Sequence, residues 1–137
     1  MTRRRSTLTG AWSGAYRYPG DAFPETVFSA DIEEVGGAFV GSTQEPNHFS
    51  RSLATVLIAE IEGVRSGSAV AFSKFYNDAG IRHAVRYEGA ADEALMRIEG
   101  AWSIPGQWSG TFFMTRDDDG EAVGENIDAQ IEAGDGS

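Results

Sequence analysis

The sequence predicts an all-β protein, an eight-stranded antiparallel up-and-down β-barrel. Three observations predict it. Turn residues and 17 glycines break the 137-residue chain into segments of strand length. Those segments alternate apolar and polar residues with the period of two that a half-buried strand requires. The two ends also look alike, "GAWSGAYRY" at 10–18 and "GQWSGTFFM" at 106–114. Closing a sheet of about eight strands pairs the first strand with the last, and neighbours at that seam meet the same curvature.

The first strand is expected over 9–18, with Trp12, Gly14, Tyr16 and Tyr18 on one face and Ala11, Ser13, Ala15 and Arg17 on the other. "YPGDAFPE" leads to a second strand over 26–35. "VGGA" then turns tightly into a third over 37–44, Gly36 and Gly37 supplying positive φ. "QEPNHFSRS" at 44–52 reads as a loop. A fourth strand over 53–62 sets Leu53, Thr55, Leu57, Ala59 and Ile61 against Ala54, Val56, Ile58 and Glu60. The segment "RSLATVLIAEIEG" has the Leu, Ala and Glu content of a helix, but its β-branched residues and its neighbours favour a strand. Much of it is apolar on both faces, as a subunit interface on the outside of a barrel would be. Strands five to eight are expected at 67–76, 82–90, 94–103 and 107–116. "NDAG" at 77–80, "AADE" at 90–93 and "SIPGQ" at 103–107 provide the turns. At the seam, Gly14 and Gly110 relieve crowding where the strands bend.

Charge separates the chain into two parts. The net charge is −10, but residues 117–137 hold eight acids and no Lys or Arg. The other 116 residues carry all 11 basic groups and the remaining 13 acids, a net of −2. The expected organisation is a barrel domain over 1–116, with a flexible N-terminus at 1–7, and an acidic, disordered tail over 117–137. A short helix over "ENIDAQIEA" is allowed, because Ile127 and Ile131 are four apart. The nearly neutral body argues against nucleic-acid binding. There is no cysteine, hence no disulfide and no thiolate chemistry. The basic start "MTRRRSTLTG" is not followed by an apolar run, so no secretory signal is expected. No segment approaches the roughly 18 apolar residues of a membrane helix, and a cytoplasmic protein is expected.

Three short motifs, in order, resemble a known group of barrels. "LTGAW" at 8–12 is similar to the opening strand of the avidin-like proteins and to the Gly-x-Trp signature of the wider calycins. "GGAFVGST" at 36–43 resembles the avidin Gly-x-Phe-x-Gly hairpin, and "GTFFMTR" at 110–116 resembles the final strand. The resemblance implies that Trp12 packs beneath Arg116, with Trp12, Gly14 and Arg116 as the residues of barrel closure. It does not carry the biotin contacts across. The positions that hold the ureido group in that family fall on Gly14, Tyr18, Thr43 and Phe112. A buried amide-like ligand that loses its matched donors and acceptors loses its affinity.

Chemistry is sparse. His48 and His83 are not spaced as a metal pair, and no nucleophile elbow, phosphate loop or metal motif occurs. No catalytic residue, cofactor or metal is expected. Asp31, Glu33 and Glu34 sit beside a turn and read as a solvated rim. The most polar strand pair is "AVAFSKFYNDAGIRHAVRYEG". If Val70 and Phe72 face inward, so do Lys74 and Tyr76, with Val85 and Tyr87 beside them. Lys74, Tyr76, Tyr87 and Arg97 would then give one barrel mouth a partly cationic lining suited to a carboxylate. The competing expectation puts these groups on the exterior, paired with Glu62, Glu88 or Glu99. Trp12, Tyr16, Phe28, Phe39, Phe72, Tyr87, Trp102 and Trp108 could fill the barrel or line a cavity. Trp102 and Trp108, close to a barrel end, are the better pocket walls.

Three functions follow. The first is non-catalytic binding of a small molecule in the barrel interior. The second is an oligomeric protein-interaction module, a homodimer or homotetramer, with a side-chain-filled barrel. The third is a small calycin-like enzyme. An open end lined by Trp102, Trp108, Tyr76 and Tyr87 favours the first, and a filled barrel favours the second.

Overall fold

Eight strands form among the described residues and each pairs antiparallel with the next: β1 (Gly10–Arg17), β2 (Thr26–Val35), β3 (Ala38–Pro46), β4 (Val56–Ser66), β5 (Ala69–Tyr76), β6 (Val85–Ala91), β7 (Arg97–Ile104) and β8 (Trp108–Arg116). β8 returns to pair with β1 from Trp12↔Arg116 to Arg17↔Thr111, so the sheet closes into a barrel. The computed structural model describes residues 6–20, 23–47, 55–77 and 84–117. His48, His83, Leu53, Ala54, most of the "NDAG" turn and the acidic tail beyond Asp117 lie outside the described residues. Among the described residues no helix is long and apolar enough to cross a membrane.

The alternation in the sequence becomes the inside and outside of the barrel. β2 alternates buried and exposed residues along its whole length, and β4 does so through most of its own. In β4, Leu57, Ala59 and Ile61 face in while Val56, Ile58 and Val64 stay exposed. The middle of the barrel is packed with rings. Phe72 stacks on Tyr87 at 4.7 Å, and Phe112 meets both edge-on. Phe39 closes on Phe72 from the other side. Edge-to-face and offset-stacked rings are the arrangements that the aromatic quadrupole favours.

Glycine lets the seam close. A Cβ on Gly14 would lie 2.2 Å from the Phe113 carbonyl oxygen, and one on Gly110 would lie 1.9 Å from that of Arg17. Both glycines of the repeated Trp-Ser-Gly therefore sit where neighbouring backbone takes up the space of a side chain. The "VGGA" hairpin also forms as expected, with φ of 61° at Gly36 and 87° at Gly37.

One end of the barrel is stapled shut. Trp12 is fully buried, and its Nε1 donates to the Leu8 carbonyl. The Arg116 guanidinium lies 4.8 Å over the Trp12 ring. It also donates to the carbonyls of Thr7, Thr9 and Leu95. Ser6 and Thr7, expected in a flexible N-terminus, are thus held, Ser6 through the Arg65 guanidinium. Glu34 is a correction to the solvated rim. It is buried, accepts from the Leu8 N–H and pairs with Arg65 at 2.9 Å. Burial pushes its carboxyl up, but Arg65 and the Leu8 N–H outweigh this and hold it below the usual range.

Several strand boundaries differ from expectation, and the largest difference is β4, which runs from Val56 to Ser66 and not from 53 to 62. β3 runs on to Pro46, past the expected end at residue 44, because a proline is tolerated at a strand terminus. β7 starts at Arg97 and not at residue 94, because Asp92 builds a turn by accepting from the Met96 and Arg97 N–H groups. That turn places Leu95 at φ 57°, with its side chain buried against the core. A non-glycine residue there is strained, and the burial of its side chain offsets the cost.

Candidate functional site

In an up-and-down meander every odd strand ends at the same end of the barrel. Tyr16 lies near the end of β1, Glu45 near the end of β3, Lys74 and Tyr76 at the end of β5, and Trp102 near the end of β7. Tyr87 on β6 pairs with Trp102, and Tyr18 follows β1 directly. All four tyrosines of the chain therefore gather at the end opposite Trp12 and Arg116.

Glu45 is the hub. Its carboxylate accepts from Lys74 Nζ at 2.9 Å, from the Tyr16 hydroxyl at 2.5 Å and from the Tyr76 hydroxyl at 3.0 Å. The Lys74 ammonium also lies 4.8 Å from the Tyr16 ring centre, 4.7 Å from that of Tyr76 and 5.3 Å from that of Tyr87. A desolvated ammonium among aromatic faces gains from their quadrupoles. Tyr18 shares a hydrogen bond with Tyr16 and carries the polar chain toward the rim, where it is partly exposed.

The ionisation of the cluster follows from burial and from these neighbours. Burial raises Tyr16, and Tyr76 and Glu45 beside it raise it further. Burial also raises Tyr76 and Tyr87, more than Lys74 lowers them. Tyr18 is pushed up to about 12, by burial first and then by Glu45. Burial alone would lower Lys74, but the oxygens of Tyr87, Tyr76 and Glu45 raise it above the ordinary lysine value. At neutral pH the hydroxyls therefore remain donors, Lys74 is an ammonium, and its charge is met by Glu45.

Around this floor stands a ring of aromatics. Tyr18 touches Phe23 at 4.8 Å, Trp102 at 5.1 Å and Trp108 at 5.6 Å, each edge-on. Phe23 and Trp108 also meet at 5.6 Å, and both are more than a third exposed. Trp102 is buried and donates through Nε1 to the Arg17 carbonyl, so it forms the wall behind the exposed pair.

Of the residues singled out from sequence, Lys74, Tyr76, Tyr87, Trp102 and Trp108 come together at this end. Arg97 does not. It opens β7 at the stapled end, and its neighbour Ile98 points inward, so Arg97 points out. There it pairs with Glu99 at 2.6 Å and lies over Phe113. Residue parity already separates Arg97 from Trp102. Sequence reasoning missed Glu45, which falls in the loop expected over 44–52. The usable signal was the inward series Phe39, Gly41, Thr43, Glu45. With Glu45 already paired to Lys74, the reason to expect a ligand carboxylate disappears.

No protein-family model matches the chain, and no curated protein matches it significantly. The class that stands is the fold, a closed eight-stranded antiparallel β-barrel consistent with a calycin-like architecture.

Proposed function

We propose that this is an avidin-like cytoplasmic barrel that binds a small molecule other than biotin, without catalysis, at its tyrosine end. The observation that carries this reading is the buried Glu45–Lys74 pair with its tyrosine hydroxyls. Desolvating two charges is costly, and well-packed apolar residues of the same volume are often as stable or more so. A barrel that only had to be filled would have no need of the pair. The ring-packed middle of the barrel leaves the ligand the outer part of this end, against Tyr18, Tyr76, Phe23 and Trp108. Because Glu45 and Lys74 cancel, an uncharged ligand with an aromatic or planar body and one hydrogen-bonding edge suits it best. Tryptophan fluorescence titration against a panel of neutral metabolites tests this. A saturable change that is lost in Trp108→Ala is expected. A flat response across the panel, in a folded protein, would overturn it.

A second reading, homo-oligomerisation, rests on a different observation. Val56, Ile58 and Phe75 are exposed large apolar residues on the outer face of the adjacent strands β4 and β5. We propose a second copy of the chain as their cover, in a dimer or tetramer. Light scattering on the wild type and on an Ile58→Glu, Phe75→Glu double variant tests it, with a loss of assembled mass expected in the variant.

A further inference from the structure

Two buried hydroxyls, Thr26 Oγ1 and Thr43 Oγ1, have no hydrogen-bond partner among the described residues. An unpaired buried hydroxyl loses its hydration and gains nothing in return. Thr43 differs from an ordinary packing defect because of what it faces. On β3 it lies in register with Ala30 of β2 and Ala59 of β4, so three small side chains stand in a row across the barrel wall. The rings of β5, β6 and β8 do not fill the space opposite. A cavity of about 10 Å³ results, with Thr43, Lys74 and Tyr87 as its polar wall and Phe28, Ile61 and Met114 among its apolar neighbours.

We infer that Thr43, Lys74 and Tyr87 form a binding site for one water molecule inside the barrel. The size decides the occupant. A water needs at least roughly 10 Å³ and two to four polar partners, so this cavity holds one water and nothing larger. Three polar side chains converge here, and two of them belong to the Glu45–Lys74–tyrosine cluster. The water completes the hydrogen bonding of Thr43 and joins it to the ammonium. The site stands whether or not a ligand binds at the tyrosine end, because it lies beneath Lys74 and needs no access to the rim.

Nuclear magnetic resonance on the full chain tests it, with solvent water as the probe. In the wild type, rotating-frame Overhauser cross-peaks from a long-lived water to the methyl groups of Thr43 and Met114 are expected. Their absence in the folded wild type overturns the site. Thr43→Val keeps the shape and removes the hydroxyl. The Met114 cross-peak should then vanish, and the midpoint of urea unfolding should fall because a satisfied hydroxyl has been lost. A raised midpoint would mean that the hydroxyl had been unpaired, and would also overturn it. If Thr43→Val does not fold, the wild-type spectrum decides.

Discussion

Lys74 and Glu45 meet at 2.9 Å with side chains only 3% and 0% exposed, so each charge depends on the other for solvation. Breaking such a pair from one side costs about 3–5 kcal/mol, because the partner stays buried and unpaired. Glu45→Gln and Lys74→Met are each expected to lose stability on that scale in urea unfolding. The double variant should cost less than the sum of the two by about 0.5–3 kcal/mol, the coupling typical of residues in contact. Strict additivity would mean that the pair contributes nothing as a pair.

The tyrosines predict an unusual alkaline titration. A free tyrosine ionises near pH ~10. Tyr16, Tyr76 and Tyr87 stand above that value through burial, and Tyr18 is pushed up to about 12. A raised folded-state pKa gives stability that is complete below the unfolded value and lost as pH rises through the folded one. Lys74 is raised as well and acts with the same sign. Stability is therefore expected to fall above pH ~10, the unfolded value. Phenolate absorbance should rise together with unfolding, after at most an early Tyr18 step. A tyrosine titrating near pH ~10 in protein whose near-ultraviolet circular dichroism is still native would contradict the burial of the cluster.

The fold was largely legible because alternation and turn chemistry act locally and pointed the same way. The packing of Trp12 under Arg116 was legible through the resemblance of the chain's two end motifs to the calycin barrels, and Gly14 through the crowding expected at the seam. The site was legible in part. Lys74, Tyr76 and Tyr87 followed from extending the inward parity of Val70 and Phe72. Glu45 escaped because it falls in "QEPNHFSRS" at 44–52, which reads as a loop, whereas the strand runs two residues past the expected end. Its partner Lys74 is 29 residues away along the chain, and no local pattern joins them. Glu34 escaped for the same reason, since its partner Arg65 lies on β4.

Arg116 holds the stapled end through several contacts at once. Its guanidinium donates to three carbonyls and covers the Trp12 ring. A lysine has the charge but not the planar fork, and it reaches fewer of these acceptors. Arg116→Lys is expected to cost about 1–3 kcal/mol through the carbonyls left unpaired, and Arg116→Ala more. Hydrogen exchange should locate the loss, with faster exchange at Trp12 Nε1 and along the β1–β8 seam while the tyrosine end stays protected. Uniform deprotection would mean that the staple is not a local one.

The two tryptophans of the β7–β8 hairpin should part in their behaviour. Trp102 is 3% exposed, packs on Tyr16 and Tyr18 and donates to the Arg17 carbonyl. Removing so large a buried ring leaves a cavity and costs about 3–5 kcal/mol. Trp108 is 39% exposed and touches Tyr18 and Phe23 at the rim. Its truncation is expected to cost no more than about 1 kcal/mol, as for residues outside the core. Trp108→Ala should therefore fold like the wild type and keep the buried-indole emission of Trp12 and Trp102, but lose the fraction that acrylamide quenches readily. If this variant instead unfolds as easily as Trp102→Ala, Trp108 is part of the core and the aromatic rim is a plug, leaving no surface there for a ligand.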